Sequence, residues 1–146
     1  MKKVLLGISL IFLAGCHTDI VTTKQLNTVE NKCVYVRPID SQDPYVGKVI
    51  RDVLAKEFMR KHVQLCDEKN ANVIITGSTF LTSRSAQKKN WFGSADSSGQ
   101  AIESLTISAK DREGNVLLNA SYDNAEQFTA SRLAKEFGSA LAGKLR

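Results

Sequence analysis

The most strand-like segment of this chain is NVIITGSTFL, residues 72–81. It combines β-branched and aromatic residues, which fit a pleated, half-buried surface. Residues 73–75 are all apolar, so both faces of the strand are apolar at this end. Such a strand is typical of the middle of a sheet, where it is covered on both sides. The segment therefore predicts a central β-strand.

Shorter strand patterns lie before and after this segment. Residues 33–36 (CVYV) predict a first strand, and residues 63–66 predict a further short one. Residues 105–110 and 116–122 alternate apolar and polar side chains around a glycine-containing turn, which predicts a β-hairpin with one wet face. In its second strand, the alternation assigns the wet face to Leu117, Asn119 and Ser121.

Two amphipathic helices are predicted. Asp43 and Pro44 supply an N-cap and a proline at the first helical position, and residues 44–61 follow with a helical apolar period. Residues 125–145 carry a second stripe, with Asp123 or Asn124 near its start. Two helices on one face of a mainly antiparallel sheet of four to five strands make an α+β fold. The apolar positions are Val46, Val49, Ile50, Val53, Leu54 and Phe58 in the first helix, and Phe128, Leu133, Phe137, Leu141 and Leu145 in the second.

The segment SRSAQKKNWFGSADSSGQ, residues 83–100, interrupts these patterns and is predicted to be a loop. Long loops are usually functional or disordered. This one holds the only tryptophan, Trp91, beside Phe92 and close to Lys88 and Lys89. Exposed aromatic residues with neighbouring cations are typical of binding hot spots, so these four residues are the predicted partner-binding site. Insertion into a membrane interface and packing against the edge of the core are the alternatives.

The chain begins with the features of a secretory signal. Lys2 and Lys3 precede an apolar run over residues 4–14. A run of about eleven residues is too short to span a bilayer, which takes about twenty. It fits the apolar region of a signal peptide. The alternative is a signal anchor or a buried N-terminal helix.

This run ends in LAGC, residues 13–16, which resembles the lipobox of bacterial lipoproteins. In that family the cysteine is acylated and becomes the first residue of the mature protein. The resemblance implies a signal peptide over residues 1–15, a lipidated N-terminus and tether over residues 16–31, and one domain over residues 32–146. It also implies an anchor in the lipid bilayer through Cys16. Because histidine rather than aspartate follows that cysteine, it points to the periplasmic face of the outer membrane.

The net charge limits the classes of partner, and the cysteine content bears on whether a disulfide forms in an oxidising compartment. Removal of the signal lowers the formal net charge from +5 to +3. Nucleic-acid-binding domains have basic residues clustered on one face, so no nucleic-acid partner is expected. With Cys16 acylated, Cys33 and Cys66 remain, and an even pair in an oxidising compartment predicts a disulfide. Two free buried thiols are the alternative.

Patterns that would indicate catalysis or metal binding are weak. Residues 85–88 match the Ser-x-x-Lys of penicillin-binding enzymes, but the companion motifs are absent. His62 and Cys66 are four residues apart, whereas zinc takes three or four ligands and a disulfide would consume the thiol. No catalytic residue, metal or cofactor is therefore expected, and the protein is predicted not to be an enzyme.

Residues 71–80 (ANVIITGSTF) and 105–124 (LTISAKDREGNVLLNASYDN), with the closing helix, resemble a group of small periplasmic domains. The group includes the N-terminal domain of TolB, the curli-export lipoprotein, the Pel polysaccharide lipoprotein and the lipoprotein activator of penicillin-binding proteins. Its members have a strand of the type A-D-V-I-I-x-G ahead of strands around D-x-x-x-G-x-V/L. Asp111 and Gly114 stand here one residue closer together.

The resemblance extends over residues 33–145 and carries no catalytic residues. It implies a non-catalytic accessory or assembly component of an envelope machine for secretion or export. An envelope protein of unknown identity would be its partner, and it could form a homo-oligomer. The alternatives are a small cell-wall-directed enzyme or ligand-binding lipoprotein, and a self-assembling structural ring.

Overall fold

The computed structural model describes residues 29, 32–90, 93–123 and 129–145, with the backbone alone for residues 83–90 and 93–100. Within them lies a mixed, mostly antiparallel sheet of five strands with two helices, so the predicted α+β fold is confirmed. The strand order is β1-β3-β4-β5, and β2 also pairs with β3. The elements are β1 (Val34–Val36), β2 (Asp40–Ser41), α1 (Pro44–Arg60), β3 (Val73–Asn90), β4 (Gly93–Lys110), β5 (Val116–Asp123) and α2 (Ala130–Leu145).

The predicted central strand is β3. It pairs in parallel with β1, Val34 opposite Val73, and antiparallel with β4, Ile74 opposite Lys110. Val73 and Ile75 are fully buried in the core. Ile74, on the opposite face, is only half-buried. The sheet is therefore completely covered on one face alone, not on both as the apolar run predicted.

A single core lies between that face and the two helices. Leu105, Ile107 and Ala109 of β4 are buried, as the alternation predicted. In the predicted helical stripes, Val46, Val49 and Val53 are only partly buried and Phe128 lies outside the described residues. The stripe residues buried in the core are Ile50, Leu54, Phe58, Leu133, Phe137, Leu141 and Leu145. The largest fully buried side chains are Phe58, Phe137, Ile50, Leu54, Ile75, Leu105, Ile107, Leu118, Leu133 and Leu141.

The hairpin of β4 and β5 forms as predicted but contains a bulge. Val116 pairs with Lys110 and Leu118 pairs with Ala109, so Leu117 is an extra residue with no partner on β4. An extra residue shifts the alternation by one position. Leu117 and Leu118 are consequently both buried. The assignment of Leu117 to the wet face was therefore wrong.

The segment predicted as a loop, residues 83–100, is strand over all its described residues. β3 and β4 continue to pair from Thr82 opposite Ala101 to Asn90 opposite Gly93. We call residues 83–90 and 93–100 the arm. Past Thr82 no third strand lies beside the arm within the described part of the chain. Backbone pairing alone imposes no apolar alternation, so the sequence lacked a strand signal.

The start of α1 agrees with its sequence signals. The Asp43 side chain accepts a hydrogen bond of 2.9 Å from the backbone N–H of Tyr45, with Pro44 in the first turn. Gly47 is buried where α1 lies closest to Ile39. A Cβ at this position would be only 2.2 Å from the carbonyl oxygen of Ile39. Any larger residue would push α1 away from the segment between β1 and β2.

The second helix begins later than predicted. Thr129, not Asp123 or Asn124, precedes its first turn, and the Thr129 hydroxyl accepts a hydrogen bond from the backbone N–H of Arg132 at 3.3 Å. Residues 124–128, including the predicted stripe residue Phe128, lie outside the described residues. Among the described residues, no helix is long and apolar enough to span a bilayer.

Candidate functional site

The predicted site residues fall into three groups: those outside the described residues, those described by backbone alone, and the two cysteines of the predicted disulfide. Cys16, Trp91 and Phe92 lie outside the residues that the structure describes. Lys88 and Lys89 lie on the arm, where their backbones pair with Ala95 and Ser94. Their side chains are not described, so the partner-binding site stays a prediction.

Cys33 and Cys66 form the predicted disulfide, with their Cα atoms 5.7 Å apart. Cys33 directly precedes β1. Cys66 follows Leu65, which forms a parallel bridge to Val34 on the outer side of that strand. The disulfide therefore ties the N-terminal edge of the domain to the segment after α1.

His62 and Cys66 do not make a metal site together. Cys66 is bridged, and His62 stands past the end of α1 in the left-handed conformation, with φ of 60°. Within the described residues, no three His, Cys, Asp or Glu side chains come together as metal ligands would.

The base of the arm presents an exposed aromatic side chain. The backbone of Phe80 pairs with that of Ser104. The Phe80 side chain lies on the face of the sheet away from the helices and is 58% exposed. The next residue, Leu81, donates its backbone N–H to Gln42 Oε1 at 2.9 Å. Just past the end of β2, the Gln42 side chain therefore accepts the backbone hydrogen bond that a neighbouring strand would otherwise accept.

A groove of about 420 Å³ lies between the two helices on the solvent side of the layer they form. Its lining contains three cations and one carboxylate, a formal charge of +2. Among described residues, neither Lys56 nor Lys135 has a salt-bridge partner. The lining residues are Val53, Lys56, Glu57 and Arg60 of α1 and Ser131 and Lys135 of α2.

Glu57 is the buried carboxylate of this groove, with 4% of its surface exposed. Arg60 holds it from one turn further along α1 with two hydrogen bonds, Nε to Oε2 at 2.9 Å and Nη2 to Oε1 at 2.5 Å. Such a paired arrangement is the strong form of an ion pair.

The pKa values of the two partners shift in opposite directions. The hydrogen bond from Arg60 lowers the pKa of Glu57 below its ordinary value of 4.5, against the opposing effect of burial. The positive charges of Arg60, Lys61 and Lys135 act in the same direction as that hydrogen bond. The same hydrogen bond raises the pKa of Arg60. Glu57 is therefore ionised at neutral pH.

Sequence reasoning missed Glu57, although its position carried a signal. It lies four residues after Val53 and three after Leu54, so it belongs to the apolar stripe of α1 rather than to its polar face. A charged residue within a buried stripe is almost always paired, and an arginine three residues later is a suitable partner.

No family model matches this sequence, and no curated protein matches it. Among solved structures, the chain is similar to the PelC dodecamer from Paraburkholderia phytofirmans, with 14% sequence identity and a TM-score of 0.53. That similarity covers 86% of this chain and 95% of the PelC chain. The predicted resemblance to the Pel lipoprotein is therefore supported at the level of the fold.

Two further structures share the fold. A DUF4136 family protein from Bacteroides thetaiotaomicron is 10% identical with a TM-score of 0.55, covering 86% of this chain and 96% of that one. A PDZ domain protein from Parabacteroides distasonis is 14% identical with a TM-score of 0.54. The similarity covers 83% of this chain but only 34% of the PDZ protein.

Proposed function

We propose that this protein is a lipid-anchored periplasmic component of a bacterial envelope machine for secretion or export, acting in assembly rather than in catalysis. The observation that carries the proposal is the fold shared with the PelC subunit over nearly the full length of both chains. At 14% identity that similarity supports a related architecture and leaves the machine to be identified.

The anchor is the first element of the proposed mechanism. The lipobox-like residues 13–16 precede the domain, and acylation of Cys16 would hold the domain at the periplasmic face of the outer membrane. Stable anchoring takes more than one acyl chain, and lipoproteins of this kind carry several. The tether, residues 16–31, would reach at most about 55 Å when fully extended, so the domain would stay near the bilayer.

Assembly through the sheet is the second element. The arm extends past β2 and β5, and its strands carry backbone groups that a further strand can pair with. The exposed ring of Phe80 lies at its base. Trp91 and Phe92 stand in the sequence between the paired residues Asn90 and Gly93. We propose that this end of the β3–β4 arm is the surface that binds the partner protein.

Homo-oligomerisation is the favoured form of assembly. The PelC structures are dodecamers, and a closed ring of identical subunits is a common way for a small domain to build a large assembly. This supports the self-assembling ring as the second candidate function. Native mass spectrometry of the purified full chain distinguishes a ring from a monomer.

Labelling with palmitate in a Gram-negative host tests the anchor. The full chain should incorporate the label and sediment with the outer membrane, whereas the Cys16→Ala variant should not be labelled. Cys33→Ala/Cys66→Ala, which removes the other two cysteines, should keep the label. Label retained on Cys16→Ala would refute the anchor.

Photocrosslinking in intact cells tests the partner surface. A photoreactive residue at Trp91 should capture one dominant envelope protein, or the protein itself if it forms a ring. The same residue at Glu113, in the exposed turn between β4 and β5, is the control for proximity without contact. Equal products from both positions, or none from Trp91 in a folded and membrane-bound protein, would refute the arm as the surface.

A further inference from the structure

We infer that the groove between α1 and α2 binds a phosphate group that carries two negative charges, as in a phosphomonoester. The inference depends on the groove alone and is independent of the proposed anchor and of the arm. Nothing in the sequence resemblance assigns a ligand to this face of the domain.

Charge is the first argument. The three cations of the groove exceed its one carboxylate by two, and a phosphomonoester carries a charge of about −1.5 to −2 at pH 7. Lys56 and Lys135 approach from different helices, and neither has a salt-bridge partner among the described residues. A ligand between the helices would meet both ammonium groups.

The orientation of Arg60 is the second argument. A guanidinium group offers five N–H donors in a planar fork. Glu57 takes only Nε and one hydrogen of Nη2. The buried carboxylate thereby fixes the plane of the guanidinium group while Nη1 and the rest of Nη2 stay available. The Arg60 side chain is 56% exposed, so these donors are accessible to a ligand. Glu57 is in this role a positioning residue.

Size and polarity are the third argument. The groove, at about 420 Å³, lies in the lower part of the range of small-molecule sites, roughly 300–1,000 Å³, and exceeds the volume of a phosphate alone. The Ser131 hydroxyl supplies an uncharged donor, and the side chain of Val53 supplies apolar surface for the remainder of the ligand. Arginine forks and lysine point charges are the usual ligands of phosphate oxygens.

Calorimetric titration of the purified full chain with inorganic phosphate tests the site. The double variant Lys56→Gln/Lys135→Gln should weaken binding roughly tenfold or more, since it removes two charge-assisted contacts. Lys48→Gln/Lys144→Gln is the matched control, because it removes the same charge from exposed positions on the same two helices outside the groove. It should change the affinity less than about twofold, as expected for distant charges screened by salt.

Glu57→Gln separates positioning from charge. The substitution makes the groove more positive, so binding by net charge alone would tighten. We expect weaker binding, because Arg60 loses its paired carboxylate. Tighter binding would refute the positioning role of Glu57, and equal affinity of the parent and Lys56→Gln/Lys135→Gln would refute the site.

A second ligand distinguishes the two possible sources of the phosphate group, a lipid headgroup and a free phosphate compound. Dihexanoyl phosphatidic acid carries the same phosphomonoester on a short lipid, and dihexanoyl phosphatidylcholine is the control for its acyl chains. Tighter binding of phosphatidic acid than of inorganic phosphate, lost in Lys56→Gln/Lys135→Gln, would assign the site to a lipid headgroup. Equal affinities would assign it to a free phosphate compound, and binding of neither ligand would overturn the inference.

Discussion

Gly138 of α2 lies directly against Glu57 of α1, so closely that a Cβ on Gly138 would be 2.8 Å from the Glu57 Cβ and 2.9 Å from its Cγ. The absence of a side chain at this position lets the two helices enclose the Glu57 stem, while the carboxylate remains within reach of Arg60. Ala134 and Ala142, one turn to either side on α2, are also buried. A line of small residues therefore sets the close contact between the helices.

Gly138→Ala should lower the free energy of unfolding by about 1–3 kcal/mol, because the added methyl group overpacks a tight contact. Gly143→Ala is the matched control on the same helix, where an added Cβ meets nothing within 4 Å. It should raise stability by up to about 1 kcal/mol through helix propensity. Urea denaturation of both variants measures the difference, and equal effects would contradict the tight contact.

The Glu57–Arg60 pair should make stability depend on acid pH. The pKa of Glu57 is lowered in the folded protein, so its carboxylate contributes stability that is fully present above its unfolded value, near 4.5. That contribution is lost as the pH falls through the lower folded pKa. The stability of the wild type relative to Glu57→Gln should therefore be constant from pH 7 to about pH 5 and decrease below pH 4.5. A difference that does not change with pH would show that the pair is not formed.

His62→Gly should stabilise the protein by about 0.5–1 kcal/mol. His62 has φ of 60°, and the N–H groups of His62 and Val63 donate to the carbonyls of Met59 and Phe58, as at helix ends where glycine is preferred. Glycine avoids the steric cost of a Cβ in this conformation. His62→Ala keeps the Cβ and is the control, with a change below about 0.5 kcal/mol. Thermal unfolding of the pair of variants tests this, and equal melting temperatures would contradict it.

Cys33→Ala/Cys66→Ala should destabilise the domain by roughly 3.5–4 kcal/mol, the chain-entropy value for a loop of this length. Denaturation of the wild type under reducing conditions should give the same loss. Reductant should have no effect on the double variant. A wild type that is equally stable with and without reductant would indicate that the bridge does not form in solution.

Local sequence was sufficient for the presence and type of both helices, for the first part of β3 and for the hairpin of β4 and β5, although α2 begins at Ala130 and not at residue 125. Each of these elements buries one face, and burial of one face imposes a period of 3.6 or 2 residues on the side chains. The pairing of Cys33 with Cys66 could be predicted for a different reason. If Cys16 is acylated, as the lipobox resemblance implies, the two remaining cysteines can form only one disulfide.

The arm and the bulge at Leu117 could not be predicted from local sequence in this way. The arm pairs backbone with backbone past the ends of its neighbouring strands, so no apolar alternation marks it. The bulge inserts one residue into β5, which breaks the alternation on which the assignment of faces depends.

The groove was the feature that the sequence predicted least well. Lys56 and Arg60 fall outside the apolar stripe predicted for the first helix, and Lys135 lies 75 residues further along the chain than Arg60. The identity and order of the two helices, of β1, of the first part of β3 and of the β4–β5 hairpin follow from short-range patterns, because burial of one face marks each of them. Neither β2 nor the arm follows in this way, and the strand predicted over residues 63–66 is only an isolated bridge at Leu65. The burial of Glu57, its contact with Gly138 and the convergence of three cations depend on how α1 packs on α2, because only packing brings residues distant in sequence within a few ångströms of each other.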